Sequence, residues 1–176
     1  MTSLMRSKIL TAVKQFFADV PPEATIGVAV SGGSDSVAML LALREALPVA
    51  KLRAATVNHG LRAEAAAEAR WVKALCLSLG IAHDILPVRD LAPGSNLQAR
   101  ARMVRYDALA AWGQECNQLC LGHSQTDLAE TFLIRLARGS GVDGLCAMQA
   151  RWQARAIDWV SPFRAFSPAD LRVYLC

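Results

Sequence analysis

What the 176-residue chain lacks narrows its class before any motif is read. Its five cysteines, Cys76, Cys116, Cys120, Cys146 and Cys176, form no Cys-x-x-Cys pair, so a zinc ribbon or dithiol redox centre is not expected and buried reduced thiols are. Long apolar runs are missing too. Charge-free stretches such as Ala24 to Ser34 and Cys116 to Thr126 fall well short of the roughly 20 residues a membrane helix needs. The amino terminus carries Arg6, Lys8 and Lys14, which interrupt any apolar core of a signal peptide, and a cytoplasmic location is expected. Lysine is scarce as well: fifteen of the nineteen cations are arginine, the side chain whose planar fork of donors matches phosphate. At the turn Ser31 to Ser36 no lysine completes a G-x-x-x-x-G-K-[ST] loop and the glycines do not form G-x-G-x-x-G, which excludes the Walker and dinucleotide-binding fingerprints there.

What is present is a hydrophobic fraction of 53%, much of it alanine, with 19% charged residues and a net charge of +4. That balance excludes a disordered chain and a coiled coil, and its mild basic bias suits a polyanionic partner. The length predicts one domain able to fold without disulfides or a structural metal.

Short apolar runs alternate with amphipathic ones, the pattern of an α/β protein with a Rossmann-like open parallel sheet of about five strands and helices on both faces. A first helix is predicted over Leu4 to Ala18, within a lead-in of residues 1–23. The run Ile26 to Val30 is β-branched and continuous, as in a strand buried on both faces. Further strands are predicted at Leu52 to Val57, Ile81 to Val88, Asn117 to Leu121 and Ala156 to Val160. Helices are predicted at Ser36 to Leu47, Ala63 to Leu79, after Asn96 as far as Trp112, and over Thr126 to Ala137. Ser167-Pro168 reads as a cap followed by proline at the first helical position.

The sharpest feature is Ser31-Gly32-Gly33-Ser34-Asp35-Ser36, between the first strand and its helix. A phosphate needs unpaired N–H groups, close backbone approach and a favourable dipole, and a glycine-rich turn entering a helix supplies all three. The glycines clear the approach, and Ser31, Ser34 and Ser36 are expected to add hydroxyl donors. An ordinary capped strand-to-helix turn is the competing reading. Asp35 is out of place among phosphate donors unless a cation lies between it and the ligand, so Mg²⁺ held by Asp35 and the phosphates is expected.

Three further blocks follow: Asn58-His59-Gly60-Leu61-Arg62; Ala101-Arg102-Met103-Val104-Arg105-Tyr106; and Gly122-His123 through Asp127-Leu128-Ala129-Glu130-Thr131-Phe132 to Arg138-Gly139-Ser140-Gly141. With the first loop, and in this order, they resemble the catalytic domain of the tRNA(Ile)-lysidine synthetase family, N-type ATP pyrophosphatases of the PP-loop superfamily, over about Val28 to Met148. The resemblance implies a carbon–nitrogen ligase that uses ATP and Mg²⁺, with isoleucine tRNA and L-lysine as substrates and no membrane partner, and leaves a homodimer open. It places His123, Asp127 and Glu130 in the ATP and substrate site, His59 at the border of the nucleotide pocket, and Arg102 and Arg105 toward tRNA or nucleotide phosphate; the main chain near Val57 is expected to read the adenine edge. Read without it, Asp127 and Glu130 also suit the dipole of a helix start, and the two arginines suit a solvated face. The chain departs from the family at Thr126, where a second aspartate is usual, and at Ser124, where histidine or threonine often stands.

Two other readings stay in view: a thiolating or amide-forming ATP pyrophosphatase, and a nucleotide-binding module without turnover. Because the sequence stops two turns into a helix that the family continues, residues 1–176 are expected to form one PP-loop ATP-binding domain, truncated at its C-terminal end.

Overall fold

The computed structural model describes residues 2–58, 60, 63–88, 97–129 and 149–175. Six strands form one sheet: β1 (Ile26–Ala29), β2 (Leu52–Asn58), β3 (Ala82–Pro87), β4 (Gln118–Leu121), β5 (Arg151–Ala154) and β6 (Ile157–Val160), in the spatial order β3-β2-β1-β4-β6-β5. Every neighbouring pair is parallel except β5 and β6. The helices are α1 (Thr2–Phe16), α2 (Ser34–Ala46), α3 (Ala63–Ser78), α4 (Leu97–Gly113) and a short C-terminal helix, Pro168–Leu171. Among the described residues no helix is long and apolar enough to cross a membrane.

The two-residue side-chain period of the strands sorts the core into two layers. Ile26, Val28, Val30, Ala54 and Cys120 point to one face, where they meet Ile9 and Val13 of α1, Met39, Leu40 and Leu43 of α2, and Val72 and Cys76 of α3. Ala55, Leu119, Leu121 and Trp159 point to the other and pack against Leu109 and Ala110 of α4. β1 lies between both layers, which is why its sequence is a continuous apolar run rather than an alternating one. Gly27 is required there, because a Cβ would fall 2.7 Å from Leu119 Cδ1 and 2.9 Å from Trp112 Cζ3.

Strand order positions the site. From β1 the chain moves outward to β2 and β3, then returns through α4 to β4 on the opposite side of β1. Such a reversal opens a crevice at the carboxyl ends of the two diverging strands, here β1 and β4.

The sheet has six strands where about five are expected, the addition being β5. β5 pairs antiparallel with β6 across a two-residue turn, Arg155-Ala156, with φ of 54° and 58°. Both residues are left-handed, as in a type I′ hairpin turn, which usually recruits Asn-Gly or Asp-Gly. Arg155 donates from Nε to Asp107 Oδ1 at 2.5 Å, tying the turn to α4.

Candidate active site

A cleft of about 670 Å³ opens at the switch point. The loop between β1 and α2 forms one wall, β2 contributes Thr56 and Val57, α4 contributes Arg102 and Arg105, and the segment after β4 contributes Gly122, His123 and Asp127. The expected loop, arginines, histidine and first carboxylate therefore share one cavity. His59 and Glu130 lie outside the described residues.

The loop enters α2 through Gly32 at φ +91°, a conformation open to glycine and strained for any side chain. Gly33 is the N-cap at φ −70° and ψ 153°, with no side-chain cap. The helix begins at Ser34, two residues earlier than the sequence predicts, which places Asp35 in the first turn. The first helical hydrogen bond runs from Val37 N–H to Gly33 C=O at 3.1 Å. The N–H groups of Ser34, Asp35 and Ser36 thus precede the helical ladder and lie at the positive end of its dipole.

The three hydroxyls expected to face a phosphate are instead engaged within the loop. Ser36, only 8% exposed, donates to Gly33 C=O at 2.8 Å and accepts from Ser31 N–H at 3.1 Å. Ser31 Oγ accepts from Gly33 N–H at 3.3 Å, and Ser34 Oγ donates to Asp35 Oδ1 at 3.2 Å. The loop is braced by its side chains and offers its main chain outward. A second brace lies beneath it: buried Thr56 donates to Val30 C=O at 2.7 Å, and His83 Nε2 meets the same hydroxyl at 2.9 Å. Burial holds the His83 imidazole below its ordinary range, against a smaller upward pull from Asp84. Sequence reasoning assigned neither Thr56 nor His83 a role, since a lone threonine within a strand carries no motif.

Val57 extends past the last β1–β2 pair, Ala29 with Ala55. Ala55 C=O faces β1, where it accepts from Val30 N–H, and Asn58 C=O faces β3, where it accepts from Val88 N–H. By alternation the main-chain groups of Val57 turn toward the β1 side, at the cleft. An adenine edge needs such a donor and acceptor.

Across the cleft, Gly122 follows β4 in close contact with the start of α2. A Cβ there would sit 3.0 Å from Ser36 Cα and 3.2 Å from Ser36 N. The motif block contains this glycine, but only the packing gives it a function. Residues 125–129 are helical. Asp127 Oδ2 accepts from Ser124 N–H at 2.7 Å and from Ser124 Oγ at 3.0 Å, which ties the carboxylate to the residue before its helix. His123 is half-buried, its Nδ1 3.1 Å from Ser161 Oγ and its ring stacked on Trp152 with centroids 6.3 Å apart. Burial lowers its pKa; Asp127 opposes that, while Arg102, Arg105 and Arg164 reinforce it. On α4, Arg102 and Arg105 lie over the Tyr106 ring at 5.5 and 5.6 Å, and Arg105 Nε is buried without a partner among the described residues.

The donor set also tests Mg²⁺. Among the described residues no three His, Cys, Asp or Glu side chains converge on one point, so these residues do not build a closed cage. Asp35, a single hard oxygen ligand beside main-chain phosphate donors, fits an ion held jointly with phosphate and water, the usual habit of Mg²⁺.

An open parallel sheet with an uncapped, glycine-led helix at its switch point defines a nucleotide-binding α/β protein. Residues 5–176 match the family described as the PP-loop domain, and the chain belongs to that family. It is 47% identical over 131 residues to the tRNA(Ile)-lysidine synthase of Zymomonas mobilis, a match covering 73% of this chain and 39% of that protein. The counterpart from Ruegeria pomeroyi is 40% identical over 158 residues, 88% of this chain and 38% of that one. The counterpart from Rhizobium meliloti is 36% identical over 97% of this chain and 42% of its own. The chain thus spans about two fifths of the length of these relatives. In fold it is similar to the U34-tRNA thiolase NcsA of Methanococcus maripaludis, with a TM-score of 0.80 at 18% identity over 98% of this chain and 63% of that one. It is also similar to the NH3-dependent NAD synthetase of Campylobacter jejuni, with a TM-score of 0.64 at 13% identity over 99% of this chain and 73% of that one.

Proposed function

We propose that this chain is the ATP-binding, substrate-adenylating part of a tRNA(Ile)-lysidine synthetase, with residues 1–176 as its PP-loop domain. The observation that carries the reading is the open start of α2, whose first-turn N–H groups share one cleft with His123, Asp127, Arg102 and Arg105. The lysidine synthase relatives supply the reaction class.

The C2 oxygen of the wobble cytidine attacks the α-phosphorus of ATP and the bond to pyrophosphate breaks. The lysine ε-amine then attacks C2, and AMP leaves with the C2 oxygen. The main chain of Ser34 to Ser36 would bind the departing phosphates, and the dipole of α2 would favour the charge that accumulates there. Mg²⁺, held by Asp35 with the nucleotide, would supply charge neutralisation at the phosphates. Val57 would take the adenine edge, with His59 alongside. The guanidinium of Arg105, with its buried Nε, suits a phosphate within the cleft, and exposed Arg102 suits the RNA backbone at its rim. The carboxylates of Asp127 and Glu130 suit the lysine ammonium or a second metal ion, and one of them would accept the proton that the amine must lose before attacking.

Two of the three described cysteines disfavour the thiolating reading. Cys120 is fully buried within β4 and burial raises its pKa, as it raises that of Cys76 to about 11. Such thiols are poor sulfur carriers. Catalytic competence is tested by pyrophosphate release with ATP, Mg²⁺, lysine and an isoleucine tRNA transcript. Release dependent on the transcript supports the proposal. ATP binding with no release in any combination supports a nucleotide-binding module without turnover.

A further inference from the structure

Ser161 follows β6 outside the cleft lining, yet its hydroxyl touches His123, which lines the cleft. Its side chain is 2% exposed, so its hydroxyl proton cannot be given to bulk water. Its N–H donates to Ala150 C=O at 2.9 Å. Among the described residues the one partner of its hydroxyl is His123 Nδ1, at 3.1 Å. Two arrangements satisfy that distance. If Nδ1 carried the proton and donated to Ser161, the hydroxyl hydrogen would be buried with no acceptor among the described residues, a state folded proteins avoid. If Ser161 donates to a bare Nδ1, every proton is placed and the ring proton resides on Nε2.

We infer that Ser161 is a positioning residue that fixes His123 as the Nε2–H tautomer, presenting a neutral hydrogen-bond donor to the cleft. Trp152 stacks on the ring with an interplanar angle of 23°, and Trp152 in turn stacks on fully buried Trp159, which limits rotation of the imidazole. Arg102 and Arg105 of the cleft wall, together with Arg164, disfavour a second proton, and Asp127 opposes them. An Nε2–H of this kind donates to an anionic or carbonyl oxygen and cannot accept a proton from an amine. Resting on the proposed reaction, this makes His123 a donor to oxygens of the nucleotide or the adenylated intermediate, and leaves removal of the amine proton to a carboxylate.

The test is the tautomer itself, read by long-range ¹H–¹⁵N correlation on the ¹⁵N-histidine-labelled chain at about pH 7.5, where a neutral ring is expected. His123→Gln identifies the resonances. The expected wild-type spectrum has a bare Nδ1 and a protonated Nε2; a protonated Nδ1 overturns the inference. Ser161→Ala is expected to mix the two tautomers and Ser161→Thr to restore one. An unchanged spectrum in Ser161→Ala overturns it as well, and if that variant fails to fold, the wild-type spectrum still decides. Addition of a non-hydrolysable ATP analogue with Mg²⁺ is expected to move the Nε2–H proton resonance, and saturation without movement contradicts the donor role. Failure of the analogue to bind would contradict the proposed function instead, while the spectrum of the free chain would still decide the tautomer.

Discussion

The two strand-to-helix junctions that flank the cleft share a topology and have opposite chemistry. After β1 the chain enters α2 through Gly32 and Gly33 with no side-chain cap, and the hydroxyls of Ser31 and Ser36 brace the loop from within. After β4 it enters the next helical turn through Ser124, and Asp127 folds back to take both the N–H and the hydroxyl of that serine. The C-terminal helix uses the same serine–aspartate pairing and adds the reciprocal bond, Asp170 N–H to Ser167 Oγ at 3.2 Å. A capped start satisfies its own donors and gains stability; an uncapped start at a switch point keeps those donors for an anion. At the cleft, the start without a side-chain cap is the one whose first-turn donors stay open.

The comparison can be broken from either side. The largest effect is expected for Asp35→Ala, which removes the carboxylate beside the open donors. Mg²⁺-dependent ATP binding should be lost in calorimetric titration, and unchanged affinity would dismiss the metal role. Gly122→Ala comes next. Its Cβ would press on the Ser36 backbone within 3.0 to 3.2 Å, so the start of α2 must shift. ATP affinity should fall about tenfold, the scale of one distorted hydrogen-bonded contact. Ser124→Ala opens the closed junction and should lower stability by about 1 kcal/mol in urea unfolding, with ATP affinity within about twofold of wild type. A large loss of ATP binding in that variant would mean that the second junction also holds the nucleotide.

The smallest effect is expected from pH. His83 supports the loop through Thr56, and His123 supports the β4 side, and burial lowers the pKa of both from 6.5. Below pH 6.5 the unfolded chain takes up protons that the folded chain resists. Stability contributed by the two neutral rings is therefore complete above that pH and declines as pH falls toward their folded values. Urea midpoints measured from pH 7.5 to about pH 5 should fall, and His83→Gln should flatten the curve. A midpoint independent of pH over that range would contradict the buried brace.

Most of this architecture can be read in the sequence because the central strands are buried on both faces and declare themselves as apolar runs. Ile26 to Ala29 and Gln118 to Leu121 lie within a residue of their predicted positions. β5 could not be read, because it is an edge strand with an exposed–half-buried alternation, and its turn uses Arg155 and Ala156 where glycine or asparagine would have signalled it. A tertiary contact, Arg155 with Asp107, supports that turn. The site divides in the same way. The glycine-rich loop is local and legible, as is its place before a helix. The engagement of Ser31 and Ser36 within the loop, the Thr56–His83 support and the contact of Ser161 with His123 join residues up to 38 apart; no periodicity or motif encodes them.

The most direct test transfers the closed junction onto the open one. Gly33 has an ordinary φ of −70°, and among the described residues a Cβ there would meet only Ser31 Oγ, at 3.5 Å. Gly33→Asn therefore fits and supplies a neutral cap for the first-turn N–H groups. Calorimetric titration of this variant with ATP and Mg²⁺, alongside its urea midpoint, separates stability from binding. The open-junction account predicts stability equal to or a few tenths of a kcal/mol above wild type, with ATP affinity reduced at least about tenfold. Equal stability with unchanged affinity would contradict it.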